Sequence, residues 1–262
     1  MSEILENEQM LAENAYPGRG IIQGLSPDAE SAIQLYWLMG RSEGSRNRVI
    51  EGVADAVWTA PFEEIPGEDH SLTIYNAMRG NRVRELSEEY DANFHIVSNG
   101  HQTDPIFERV SNEKDLLGRV RAFGRALLNW AYEPDKPNFT PRISGMIYSQ
   151  GAFTTSILSI VKRASEYGEI GRSLHTVDLI DQHYTKGIEG VGKCVHTYDG
   201  DGDPIPSFSA EPYTVGLEQT AQENAEKYAE ILAGENFVSL VAKAIPLDGS
   251  QPTFSIINKN QK

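Results

Sequence analysis

The sequence predicts an α+β domain, in which mainly antiparallel sheet is covered by helices. Three observations carry that prediction: strand-like apolar runs are numerous, only two segments hold a helical spacing, and strands do not alternate one for one with helices as a doubly wound parallel sheet requires.

Taken in order, residues 1–14, MSEILENEQMLAEN, are polar and acidic and read as an N-terminal arm or short surface helix without chemistry. They carry acids where a secretory leader carries positive charge, so export and organellar import are not expected and the cytoplasm is. Residues 15–262 read as one domain. GRGIIQGL (Gly18–Leu25) and AIQLYWLM (Ala32–Met39), separated by the turn SPDAE, predict a hairpin of buried strands. Further strand-like runs are FHIVS from Phe94, RISGMIY from Arg142, TTSILSIV from Thr154, VGKCVHTY from Val191, FVSLVAKAI from Phe237 and TFSII from Thr253. In KDLLGRVRAFGRALLNWAYE, residues Leu116, Val120, Phe123, Leu127 and Trp130 share one helical face. Ala221, Ala225, Tyr228, Ala229 and Leu232 do the same in LEQTAQENAEKYAEILAG, with Gly234 as a helix stop. PDKPN from Pro134 and DGDGDP from Asp199 read as loops.

Composition bounds the function. A chain of 262 residues with 38 acids against 23 bases has a formal net charge of −15, which repels nucleic acid and anionic membranes. No apolar run approaches the roughly 20 residues that a membrane helix needs. The single cysteine, Cys194, excludes an internal disulfide and a multi-cysteine metal site. Against this acidity, MGRSEGSRNRV (Met39–Val49) gathers Arg41, Arg46 and Arg48. Such a cluster is too small for a duplex footprint but sufficient to hold one phosphate.

Several motifs tempt and fail. Gly40 to Gly44 spell G-x-S-x-G around Ser42, yet too few strands precede it and RNRVIEGVADAV after it is not helical, so a serine in a polar turn is expected. GIEGVGKC from Gly187 has the glycine and lysine spacing of a phosphate loop but ends in Cys194, where a hydroxyl must reach magnesium. DGDGDP has Pro204 where a calcium loop needs glycine. His175, Asp178 and His183 match no standard zinc spacing. Trp37, Trp58 and Trp130 are expected in the core. No metal and no cofactor are predicted.

YPGRG at Tyr16, GRSEGSRNR at Gly40, TIYN at Thr73, SNGHQTD at Ser98 and YEPDKPNFTPRI at Tyr132, followed by AEKYAEILAGENF and VSLVAKAI, occur in one order. Together they resemble the archaeal-type IMP cyclohydrolase family. That resemblance implies a four-layer αββα sandwich like the N-terminal nucleophile hydrolases, without their nucleophile. It also implies a homo-oligomer that closes the second purine ring of 5-formamidoimidazole-4-carboxamide ribonucleotide, giving IMP without a cofactor. By resemblance, Tyr75, Glu133 and Arg41 are catalytic. Arg19, Arg48, Asn76, Asn99, Gly100, His101, Thr103, Asp104 and Arg142 are then expected to bind substrate. Two positions depart from the archaeal pattern: the arginine loop is about two residues longer, and Trp37 stands where a cation is usual. Two other functions fit the same residues, hydrolysis of another amide or ester through Ser42 and purine-nucleotide binding without turnover.

Overall fold

The computed structural model describes residues 2–53, 55–67, 70–83, 92–150, 153–181, 184–185 and 188–260. The first elements are α1 (Glu3–Glu13), β1 (Gly20–Leu25), β2 (Ser31–Met39), α2 (Glu43–Arg46), β3 (Arg48–Val53), β4 (Ala56–Pro61) and β5 (Asn76–Val83). Next come β6 (Ala92–Ser98), α3 (Thr103–Ser111), α4 (Leu116–Leu127), β7 (Arg142–Gln150), β8 (Phe153–Arg163) and β9 (Ile170–Asp181). Last are β10 (Tyr184–Thr185), β11 (Val191–His196), β12 (Tyr213–Gly216), α5 (Ala221–Ile231), β13 (Phe237–Pro246) and β14 (Thr253–Asn258).

Two antiparallel sheets result. One runs β12-β11-β1-β2-β13-β14 and the other β10-β9-β8-β7-β6-β5-β4-β3. The strand alternation of β2 shows how they stack. Ile33, Leu35 and Trp37 point to one face and pack with Leu11 of α1 and with Ala225 and Tyr228 of α5. Tyr36 and Leu38 point to the other face and pack with Ile50, Val57, Met78, Val97 and Ile143 of the eight-stranded sheet. The opposite face of that sheet, through Phe94, Ile96, Met146 and Tyr148, packs on Ile106 of α3 and Phe123 of α4. Helices therefore cover the outer face of each sheet, as the α+β prediction requires.

The expected hairpin is β1–β2, paired from Gly20↔Trp37 to Gly24↔Ile33. All six later strand-like runs form strands, and both periodic segments form helices, the first ending at Leu127. Three readings gain detail and one, the tryptophans, changes. Residues 3–13 of the acidic arm form a helix capped by Ser2, docked through buried Leu11 and through Glu8, which pairs with Lys227 at 2.9 Å. The segment after the arginine loop is a β3–β4 hairpin, paired from Arg48↔Pro61 to Val53↔Ala56. The polar turn around Ser42 contains one helical turn, α2, with Ser42 as its N-cap. Trp58 and Trp130 are half-buried, and only Trp37 is a core tryptophan, because Trp58 faces outward to Glu51 and Trp130 stacks against Arg142.

Candidate functional site

A cavity of about 340 Å³ opens at one end of the sandwich, lined among others by Tyr16, Arg19, Met39, Arg41, Arg48, Glu133, Asp135, Thr140 and Tyr198. The topology assembles it. Arg19 immediately precedes β1, Met39 ends β2, Arg48 begins β3 and residues 133–140 lead into β7. Gly18 permits the close approach: its φ is +72°, and a Cβ there would lie 2.2 Å from Thr197 Oγ1.

Glu133 is the hub. Arg19 donates to both of its oxygens, at 3.0 and 2.7 Å, and to the Asn99 carbonyl at 2.6 Å. Arg142 lies 3.5 Å from the same carboxylate. It also donates to Gln102 Oε1 at 2.9 Å and to the Ala131 carbonyl at 3.0 Å, while its guanidinium covers the Trp130 ring. Glu133 is 4 % exposed and Arg142 7 %, so this is a buried cluster with two cations on one carboxylate. Burial lowers the pKa of Arg19, but the Glu133 carboxylate overrides it and holds the guanidinium well above its usual range. Burial pulls Arg142 down against the same carboxylate. Gly100 makes room here, because a Cβ would sit 2.8 Å from Arg142 Nη1 and 3.3 Å from Glu133 Oε1.

Two tyrosine contacts flank the hub. The Tyr36 and Tyr75 hydroxyls share a hydrogen bond of 2.6 Å, and both rings lie within electrostatic reach of Arg19. Burial, followed by Tyr75, pushes the Tyr36 phenol well up, so it remains a proton donor at neutral pH. On another wall the Tyr198 hydroxyl meets Thr140 Oγ1, which also bonds Asp135. Burial raises Asp135 above the usual carboxylate range, although Thr140 opposes the shift.

The arginines of the acidic chain divide here. Arg48 is 5 % exposed, anchored to the Ser45 carbonyl at 2.9 Å and the Met39 carbonyl at 3.3 Å, and lines the cavity. Arg41 lines its rim, packed on the Tyr16 ring and paired with Asp201 of the DGDGDP loop. Arg46 turns away to Glu235, Asn236 and the Gly40 carbonyl. Trp37 belongs to the outer core and stands on the opposite face of β2 from Tyr36, so it touches no substrate in this cavity.

Of the residues expected to be catalytic, Arg41 and Glu133 line the cavity; of those expected to bind substrate, Arg19 and Arg48 line it, and Asn99, Gly100 and Arg142 stand behind Glu133. Tyr75 joins through Tyr36. Asn99 is a frame residue: its side chain donates to the Pro141 carbonyl and accepts from Ile143 N and Gln102. Asn76 and Asp104 bond to each other, with Arg79 on the same carboxylate. Thr103 donates to the Gly100 carbonyl, and exposed His101 bonds the Ser71 carbonyl with its ring edge-on to Tyr75. Sequence reading missed Tyr16, Tyr36, Asp135, Thr140 and Tyr198. Asp135 and Thr140 sit inside YEPDKPNFTPRI and Tyr16 opens YPGRG, so their positions were visible and their roles were not.

Ser42 of the G-x-S-x-G stretch lines the same cavity. The Ser42 hydroxyl accepts from Ser45 N as a cap. Among the described residues no three His, Cys, Asp or Glu side chains form a group able to hold a metal ion, and His183 lies outside those residues, as do Lys186 and Gly187. No helix among the described residues is long and apolar enough to cross a membrane.

The sequence model of the family described as IMP cyclohydrolase-like protein matches residues 16–249, and the chain belongs to that family. No curated protein matches it.

Proposed function

We propose, with membership of that family as the premise, that the protein is a cofactor-free IMP cyclohydrolase acting on 5-formamidoimidazole-4-carboxamide ribonucleotide. The observation that carries this reading is the Arg19–Glu133 pair lining a cavity shared with Arg41 and Arg48, with Arg142 behind Glu133 and the Tyr36–Tyr75 hydroxyl pair within electrostatic reach of Arg19. The fold is read as the αββα sandwich of the N-terminal nucleophile hydrolases.

The reaction needs its two arms held together, a donor for the developing oxyanion and an acceptor for the amide proton. Arg48 and Arg41 take the phosphate, for which a guanidinium supplies a bidentate fork. Arg19, aimed by Glu133, and the Tyr75 hydroxyl, aimed by Tyr36, face the formyl oxygen. The carboxamide nitrogen attacks the formyl carbon, the new C–N bond forms, and the oxygen takes the Tyr75 proton. Both Glu133 oxygens already accept from Arg19. The nitrogen proton therefore goes to Asp135, whose pKa burial raises, which makes it the stronger base. The carbinol hydroxyl then leaves as water, taking that proton from Asp135, while the former formamide nitrogen gives up its own proton to restore Tyr75 as the ring C=N bond forms. Ring closure of this kind transfers no electrons.

Incubation of the purified protein with the formamido ribonucleotide should yield the ultraviolet spectrum of IMP. Absence of both turnover and IMP binding would overturn the reading, and IMP binding without turnover would select a nucleotide-binding protein instead. Homo-oligomerisation is proposed from the family and is read by light scattering.

A further inference from the structure

The turn that follows Glu133 folds a hydroxyl back onto Asp135. Asn138 N donates to the Asp135 carbonyl at 3.0 Å, Thr140 N donates to Asp135 Oδ1 at 2.8 Å, and the Thr140 hydroxyl bonds Oδ2. The same hydroxyl oxygen meets the Tyr198 hydroxyl, 58 positions away in the chain. Tyr198 is itself held in place: its ring stacks on Tyr16 at 5.8 Å, and its carbonyl accepts from His196 Nδ1 at 2.9 Å and from Asn14 Nδ2 at 3.1 Å. Thr140 and Tyr198 are 2 % and 4 % exposed, and Asp135, Thr140 and Tyr198 all line the cavity around Glu133.

The two carboxylates of that cavity differ in the kind of partner each has. Glu133 faces guanidinium groups, which only donate, so its neutral acid would set an O–H against an N–H. Asp135 faces a hydroxyl, which donates or accepts. While Asp135 is ionised, Thr140 gives its hydrogen to Oδ2 and accepts from Tyr198. Once Oδ2 carries a proton, that O–H donates to Thr140 Oγ1, the Thr140 hydrogen turns to the Tyr198 oxygen, and the Tyr198 hydrogen turns into the cavity. Nothing is transferred beyond the one proton gained, and neither state strands a buried donor. Burial pushes the Tyr198 phenol up, so the row keeps its hydrogens at neutral pH.

We infer that Thr140 and Tyr198 are positioning residues for the proton acceptor of the ring closure, a row of hydroxyls whose hydrogen bonds reverse together when Asp135 is protonated. The inference rests on the reading of Asp135 as that acceptor. The carboxyl 13C shift of Asp135, assigned with Asp135→Asn and followed against pH in the full chain, tests it without need of turnover. Thr140→Val removes a donor to the ionised form and should move the titration to higher pH, and Thr140→Ser should restore it. Tyr198→Phe leaves the ionised form its donor but strands the turned Thr140 hydrogen, so it should move the titration to lower pH. Opposite shifts in these two variants support the row. A titration unmoved in Thr140→Val, or not lowered in Tyr198→Phe, overturns the inference whether or not the protein is active. The acid limb of kcat/KM should follow the 13C midpoints. Shifts of the expected signs with an unmoved acid limb would instead remove Asp135 from the ring closure and leave the reversing row in place.

Discussion

The Tyr36 hydroxyl of one sheet meets the Tyr75 hydroxyl beside the other sheet at 2.6 Å, closing the layer between them next to Arg19. One hydroxyl orients the other, so the two tyrosines act as a unit. Under the proposed mechanism Tyr75→Phe should lower kcat by about 100-fold, the size of losing one proton or oxyanion donor. Tyr36→Phe should cost about tenfold, as loss of an aligning partner. Steady-state rates of both variants and of the double variant check this, and strictly multiplicative losses would count against a coupled pair.

Glu133→Gln should destabilise as well as inactivate. It leaves Arg19 and Arg142 as buried cations without a carboxylate, and breaking a buried pair this way costs about 3–5 kcal/mol. Urea unfolding of the variant reads that loss. A variant of unchanged midpoint would mean that the cluster is solvated in solution.

Arg48→Ala should weaken IMP binding at least tenfold, whereas Arg46→Ala should leave it unchanged, because Arg46 is committed to Glu235 and Asn236. Asp201→Asn should tighten IMP binding a few-fold, since Asp201 competes with the phosphate for Arg41. Calorimetry on the three variants measures the set, and equal losses for Arg46 and Arg48 would contradict the placement of the phosphate.

Acid should unfold the protein partly through His196. Burial against Phe208 and Tyr213 lowers its pKa from 6.5 to about 4, although Asp199 opposes the shift. Between these values the unfolded chain binds a proton that the folded chain refuses, so stability falls as pH falls through that window, by on the order of 3 kcal/mol. Lys243, 1 % exposed and held at about 8 by burial against the pull of Asp55, has the same sign at the other end. Stability should rise as pH climbs from about 8 towards the unfolded lysine value near 10.5. Lys243→Met should be more stable at pH 7 and lack that rise, and His196→Gln should flatten the acid slope. Urea midpoints at pH 4.5, 7 and 9.5 measure both.

Local pattern determined much of this protein. Alternating and continuous apolar runs specified the β1–β2 hairpin and six further strands, and three- and four-residue spacing specified α4 and α5, because burying one face imposes its period on the chain. Where a strand is half exposed or polar that signal fades. β5 carries Arg79, Gly80 and Asn81, and β9 carries Arg172 and His175, so neither was read. Alternation also bears on Trp37: with Tyr36 turned to the inner layer, its neighbour had to face α5. The family, and with it the short polar motifs around Arg19, Tyr75 and Glu133, was legible as well. Only the tertiary structure decided what these residues do to one another. Arg19 and Glu133 are 114 positions apart, and Arg46 and Arg48, two residues apart, face different partners. Such pairings depend on which strand ends the stacked sheets bring together, and burial then makes matching the charges obligatory.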